Sequence, residues 1–337
     1  MPTTSSQDPE AANEPQKNSR KWTVHQGRNR FCCQGRMVCS RQHGVFVLTV
    51  FLLSTCLTLF FIFDAPFMWN INPAIPIVAA VLSTSVIANF VLTSFSDPGI
   101  IPRVGNLELI ELDKQKTAEQ IAENCTNRVR TKEVVVNGQR VKLKYCTTCR
   151  MFRPPRTSHC SVCDNCVMMF DHHCPWVGNC IGQRNYAFFY RFVISLAFLI
   201  IYCFACSVVH LCLVSKQKES LADAIKQNPI TLVVALVGFF SIWSVVGLMC
   251  FHSYLIVTNQ TTNEDLKGVY RNKPSNPPET EVKNPFHRGF FKNIAEKLCR
   301  SQPPSVLDAS GFLDANVYIV VPKPKASSSS HEPTTST

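Results

Sequence analysis

Four stretches without a single Asp, Glu, Lys or Arg constrain this chain most: Gly44 to Phe63, Pro73 to Phe95, Phe192 to Val214 and Ile230 to Val257. A helix rising about 1.5 Å per residue needs about 20 apolar residues to cross roughly 30 Å of hydrocarbon. Each stretch is long enough. The pattern predicts an all-α polytopic membrane protein with four transmembrane helices, at 44–63, 73–95, 187–214 and 230–257. The first two form a tight pair joined by Asp64 to Asn72, whereas 97–186 is a long polar loop and 258–308 a polar region after the last span.

Flanking positive charge sets the orientation, because Lys and Arg are retained in the cytosol when short loops are threaded across a membrane. Residues 1–43 hold seven and 97–186 hold thirteen, against none in the first connection and three in Ser215 to Pro229. Both termini and the long loop are therefore expected in the cytosol. The net charge of +11, carried between apolar spans, points to anionic headgroups and phosphorylated ligands rather than nucleic acid. The polar segment 1–43 lacks the apolar core and cleavage site of a signal peptide. It and the tail 309–337 read as disordered. The N-x-T triplets at Asn124 and Asn259 fall on the cytosolic side and read as chance matches.

Seven of the 17 cysteines fall between Cys146 and Cys180 with the two-residue gaps of metal ligands, so a reducing compartment fits better than a disulfide framework. Within the loop, Leu107 to Asn124 reads as a short exposed helix. Lys132 to Tyr145, turning at Asn137-Gly138, reads as a β-hairpin at the start of a cysteine-rich domain over about 132–186. Then come Cys146-x2-Cys149, His159-Cys160-x2-Cys163-x2-Cys166, Asp171-His172-His173-Cys174 and Cys180, ten Cys and His candidates. Two tetrahedral zinc sites consume eight ligands and leave two residues over. Spacing does not say which two. A spare Cys beside a spare His would supply a thiolate nucleophile and the base that activates it, with Asp171 orienting the imidazole. Cys174 lies 18 residues before Phe192, which puts such a thiolate at the cytosolic membrane surface.

The run Cys146 to Cys180, with Asp171-His172-His173-Cys174 followed by Pro175-Trp176-Val177, resembles the DHHC protein S-acyltransferases, or palmitoyltransferases. Asp97-Pro98-Gly99 after the second span, Thr261-Thr262-Asn263-Glu264 after the fourth and Asn284-Pro285-Phe286 resemble the family's other motifs. The resemblance covers about Asn29 to Asp308 and implies a small cytosolic double-zinc domain. One structural zinc is then held by Cys146, Cys149, His159 and Cys166, the other by Cys160, Cys163, His173 and Cys180. It further implies that Cys174 takes a long-chain acyl group from acyl-CoA, such as palmitoyl-CoA, and passes it to a cysteine of a membrane-associated protein. His172 serves as base, Asp171 orients it, Thr262 helps hold Asp171, and the four spans enclose the acyl chain. Gly27 to Cys33, Ser94 to Gly99, Asn259 to Asp265 and Pro303 to Asp308 are similar to an animal subgroup of Golgi and endoplasmic reticulum enzymes. Some of these act on Ras-like proteins with an accessory subunit.

Other features carry weaker expectations. Phe290, Phe291, Ile294 and Leu298 recur at helical spacing among Arg288, Lys292, Lys297 and Arg300, as in an interfacial helix or one packed on the zinc module, with Asn284-Pro285 as its start. Arg128, Lys142, Lys144, Arg153 and Arg156 are candidates for the phosphates of coenzyme A. Cys32, Cys33 and Cys299 are candidates for acylation, with unmodified thiols as the default. His210 and His252 read as packing residues of the spans. Two other classes compete with the enzyme. A membrane-anchored zinc-binding adaptor without catalysis would not need a spare nucleophile. A transporter would line its spans with polar groups, which these almost lack.

Overall fold

The computed structural model describes residues 20–104, 131–270 and 283–312. The expected helix at Leu107 to Asn124, and with it Arg128, lies outside the described residues. Among the described residues, four helices are long and apolar enough to cross a membrane: Gly44–Ile71, Ala74–Phe95, Tyr186–Lys218 and Pro229–Val257. The third packs against both the second and the fourth and is the most buried of the four, whereas the first is the least buried.

The first helix continues past Phe63 to Ile71 through a wide turn at Phe60–Asp64. Asp64 ends that turn facing inward, where Oδ1 meets His210 Nδ1 of the third span at 2.9 Å. Thr231 Oγ1 lies 3.4 Å from the same nitrogen and Phe67 stacks on the imidazole at 3.9 Å between centroids. An ionisable side chain buried between helices needs a hydrogen-bond partner, and Asp64, fully buried, has this one. The expected nine-residue connection thus shrinks to Asn72 and Pro73, which lie between the two helices.

Short antiparallel strands build the part outside the spans. β1 (Arg30–Cys32) pairs with β2 (Met37–Cys39) just before the first span. β3 (Ile100–Ile101) follows the second span and joins a sheet with β7 (Ser158–Cys160) and β8 (Asn165–Val167). β4 (Thr131–Val136), β5 (Gln139–Cys146) and β6 (Met151–Phe152) form a second sheet. Its hairpin turns at Asn137 and Gly138, both with positive φ, as an Asn-Gly turn requires. β9 (His172–Cys174) pairs with β10 (Asn179–Ile181).

Side-chain amides fasten this part to the spans. Asn179 Nδ2 lies 3.1 and 2.9 Å from the carbonyls of Ser94 and Ser96 at the end of the second span. Asn185 donates to Thr93 O and Cys180 O and accepts from the Gly182 N–H. Asp97 Oδ1 accepts the N–H groups of Gly99 and Ile100, so the chain turns sharply at Gly99, whose φ of +105 suits glycine. The other oxygen of Asp97 takes the Ser305 hydroxyl at 2.6 Å and faces Arg184 at 3.3 Å. Residues 303–312 are thereby tied down, and they also carry the N-terminal segment through Lys21 N to Gly311 O and Trp22 N to Ala309 O.

Candidate active site and zinc clusters

Alternation along short strands distributes the Cys and His side chains, since neighbours on a strand point to opposite faces. On β7 His159 and Cys160 diverge, and the register places His159 opposite Cys166. On β9 His173 points one way and faces Cys180, while His172 and Cys174, two residues apart, share the other side.

Two four-residue clusters result, Cys146, Cys149, His159 and Cys166, and Cys160, Cys163, His173 and Cys180, each with its candidate ligand atoms within 4.8 Å of one another. In a zinc tetrahedron with Zn–S about 2.3 Å and Zn–N about 2.0–2.1 Å, sulfur and nitrogen sit about 3.6 Å apart. In the first cluster His159 Nδ1 lies 3.6, 3.5 and 3.9 Å from the sulfurs of Cys146, Cys149 and Cys166. In the second, His173 Nδ1 lies 3.5 Å from those of both Cys163 and Cys180. The spacing therefore fits zinc. Backbone N–H groups of Cys149 and Cys163 point at the sulfurs of Cys146 and Cys160, which stabilises thiolates. His159 Nε2 faces Asp164 at 3.5 Å, the kind of outer partner that fixes a metal-binding ring.

His172 and Cys174 belong to neither cluster. His172 Nδ1 meets Asp171 Oδ2 at 2.7 Å, which leaves Nε2 for Cys174. Asp171 is buried and accepts two further bonds, from the Thr262 N–H at 2.8 Å and the Thr262 hydroxyl at 2.7 Å. Burial works to raise the Asp171 carboxyl, but the bond and charge of His172 outweigh it and hold the pKa at about 2. Burial likewise works to lower the His172 imidazole, but its bonds to Asp171 and Cys174 and their charges carry it to about 9. An anionic carboxylate therefore stands behind an imidazole with high proton affinity, which in turn meets a thiol. Cys174 itself is buried among Val86, Phe90, Val177, Phe189, Phe192 and Val193, at the point where the strands meet the spans.

The residues after the fourth span all have work in this arrangement. Thr261 caps a short helix, Thr262–Leu266, in a capping box with Glu264. Asn263 Nδ2 donates to Ser158 Oγ. Glu264 takes a bidentate pair of bonds from Arg156 at 2.9 and 2.7 Å. Arg156 also donates to Asn259 and lies over the Phe286 ring at 4.7 Å. Arg156, with its side chain 4% exposed, spends its guanidinium N–H groups on Glu264 and Asn259, which leaves no free face for a phosphate, and Asn259 is buried with its amide bonded to Phe286 O. Lys142 and Lys144 are exposed on β5, and Arg153 is half-buried.

Removing one partner of a buried pair strands a charge at a cost of about 3–5 kcal/mol. Glu264→Ala should therefore lower the thermal midpoint of the purified protein in detergent strongly, and Arg156→Leu with Glu264→Leu should lower it less.

The last helix begins at Phe290, after Gly289 at φ +98, and not at Asn284-Pro285. Its apolar residues divide: Phe290 and Phe291 are exposed, whereas Ile294 and Leu298 pack on the core around Cys174, not on the zinc clusters. Cys32, Cys33 and Cys299 are exposed thiols.

His252, an ionisable group of a span whose sequence reading is a packing role, and Tyr186, which no motif marks, both lie at the site. His252, from the fourth span, brings a ring nitrogen within 4.8 Å of the donor atoms of Asp171 and His172. Only a strand reading of Asp171 to Cys174, combined with a tertiary contact, could have found it.

A family model described as DHHC palmitoyltransferase matches residues 139–269. The palmitoyltransferase ZDHHC18 of Mus musculus is 48% identical over 305 residues, covering 90% of this chain and 79% of that protein. ZDHHC14 of Homo sapiens is 49% identical over 313 residues, covering 92% and 62%, and ZDHHC9 of Bos taurus 48% over 301 residues, covering 88% and 81%. Similarity at this level across all four spans and both clusters leaves no room for an adaptor or transporter of another family: the chain belongs to the DHHC palmitoyltransferase family and is a protein S-palmitoyltransferase.

Proposed function

We propose that Cys174 carries the acyl group, His172 acts as its base, Asp171 orients His172, and Thr262 holds Asp171. The observation that carries this reading is the unbroken bond series from Thr262 through Asp171 to His172, ending at a cysteine outside both metal clusters. In the first stage Cys174 Sγ gives its proton to His172 Nε2, and the thiolate attacks the carbonyl carbon of palmitoyl-CoA. The carbonyl C–S bond to coenzyme A breaks, and the departing thiolate takes the proton from His172. In the second stage a substrate cysteine loses its proton to His172 and attacks the Cys174 thioester. Cys174 leaves, recovers the proton, and the enzyme is regenerated. The acyl chain lies among the apolar side chains of the spans next to Cys174.

Zinc in both clusters supplies folding energy rather than chemistry, with Cys146, Cys149, His159 and Cys166 holding one ion and Cys160, Cys163, His173 and Cys180 the other. The positive charge around the spans supports a cytosolic site with both termini cytosolic. The substrates are membrane-associated proteins with cytosolic cysteines, Ras-like proteins among them. The enzyme works in Golgi or endoplasmic reticulum membranes with an accessory subunit. The similarity of residues 27–33, 94–99, 259–265 and 303–308 to that animal subgroup supports these assignments.

Incubation of the purified protein with labelled palmitoyl-CoA tests the reading. Hydroxylamine-sensitive label on the enzyme is expected, whereas a folded, zinc-loaded protein that takes no label even with an accessory subunit present would overturn it. His172→Ala should fold and bind zinc but acylate itself about 10²–10⁴-fold more slowly, the usual contribution of a general base. Unchanged single-turnover kinetics would remove His172 from that role.

A further inference from the structure

The proposed mechanism uses no group from the fourth span except Thr262 just beyond it, yet the structure brings one imidazole of that span to the reacting pair. His252 is 2% exposed and lies one helical turn from the cytosolic end of Pro229–Val257. Its Nδ1 is 3.2 Å from the hydroxyl of Tyr186, the first residue of the third span. Its ring centroid is 5.9 Å from that of His172. Phe189 stands edge-on to both imidazoles, 5.3 Å from His172 and 4.9 Å from His252. One side of the His172 ring is therefore walled by the Tyr186–His252 pair and Phe189, all supplied by spans, while Asp171 holds Nδ1.

We propose that His252, fixed by the Tyr186 hydroxyl, is a positioning residue for acyl transfer that keeps the His172 imidazole aligned between Asp171 and Cys174. A short strand such as β9 fixes the backbone of His172, and the single bond to Asp171 fixes one ring atom, but neither stops the ring from rocking about that bond. The wall does. A hydrocarbon side chain would fill this buried space without desolvating polar atoms, so packing alone gives no reason for an imidazole and a hydroxyl bonded to each other. The bond between them locks the ring of His252, and with it the surface against which His172 rests. Loss of alignment by about 1 Å can cost about 10²-fold in rate.

The inference rests on Cys174 and His172 being nucleophile and base. Single-turnover self-acylation with labelled palmitoyl-CoA should therefore be measured for His252→Phe, Tyr186→Phe, the double variant and His252→Gln, beside His172→Ala. Alkylation of Cys174 by iodoacetamide, read by peptide mass spectrometry, provides a second signal that needs no acyl donor. His252→Phe and Tyr186→Phe should each slow both reactions about tenfold to a hundredfold, with apparent palmitoyl-CoA affinity and zinc content unchanged. The double variant should be no slower than the slower single one, and His252→Gln, which keeps an acceptor for the Tyr186 hydroxyl, should recover part of the rate.

Wild-type rates in zinc-loaded His252→Phe would overturn the proposal, as would strictly multiplicative effects in the double variant. Should His252→Phe fail to fold, Tyr186→Phe decides, since it removes one oxygen atom, and an unchanged rate there overturns the proposal equally. Normal self-acylation by His172→Ala would instead sink the underlying assignment of the base, so the two failures are distinguishable.

Discussion

Cys174→Ser should eliminate hydroxylamine-sensitive label from the enzyme and acyl transfer to any substrate, while leaving fold and zinc content intact. The substitution exchanges a sulfur for an oxygen at a position buried in the core beside Phe189 and Val193 and outside both metal clusters, so the packing change is small and no ligand is lost. The chemical change is large. A thiol loses its proton to a neighbouring imidazole easily, and a hydroxyl does not, so His172 and Asp171 would face a group they cannot ionise to the same extent. Loss of the attacking group in other covalent enzymes costs about 10⁶-fold, and here at least about 10⁴-fold is expected in the single-turnover rate. The comparison requires zinc stoichiometry and thermal midpoint of both proteins, so that a folding defect is not mistaken for a chemical one. Full transfer by a well-folded Cys174→Ser protein would place the nucleophile elsewhere among the 17 cysteines.

The spans were legible because the bilayer fixes a length, and charge-free runs of that length have few other uses. Their limits were less so: Asp64 reads as the first residue of a loop by charge, yet the partner that brings it into the helix, His210, lies 146 residues away. The cysteines announced metal through their spacing, but spacing alone could not sort ten candidates into two sets. The clusters interleave in sequence because adjacent residues on β7, His159 and Cys160, go to opposite faces. The same alternation on β9 separates His173 from His172 and Cys174, so the strand assignment is the step that turns the leftover pair into a site. Arg156 shows the opposite limit. A basic residue near a phosphorylated donor suggested a phosphate contact, and the buried bonds to Glu264 and Asn259, more than 100 residues away, use that charge internally.

Replacing a cluster residue should give a different phenotype from replacing Cys174, and Cys146→Ser and His173→Ala are the informative pair. The core of the strand-built part is made largely of the candidate ligands themselves: Cys160, Cys163 and Cys180 sit in one of its clusters and Cys146, Cys149 and Cys166 make up the other, whereas the largest core cluster lies around the spans. Its strands are two to eight residues long, too short to hold together without another source of energy. Zinc held by the two clusters, as proposed above, would provide it, since binding is worth about 10–16 kcal/mol in small zinc domains and binding and folding of such a domain are one equilibrium. Loss of one of four ligands should therefore release most of the affinity for that ion and unfold the strands around it. His173→Ala should have the larger effect on catalysis, because β9 carries His173 on one face and the reacting pair on the other, and unfolding it disperses His172 and Cys174 directly. Cys146→Ser acts at a distance, through β5 and β7. Metal analysis should find close to one zinc per chain in each variant against two in the unaltered protein, with the spans still helical by circular dichroism. Two zincs and a normal melting profile in His173→Ala would show that His173 is not a ligand and would reopen the division of the two histidines on β9.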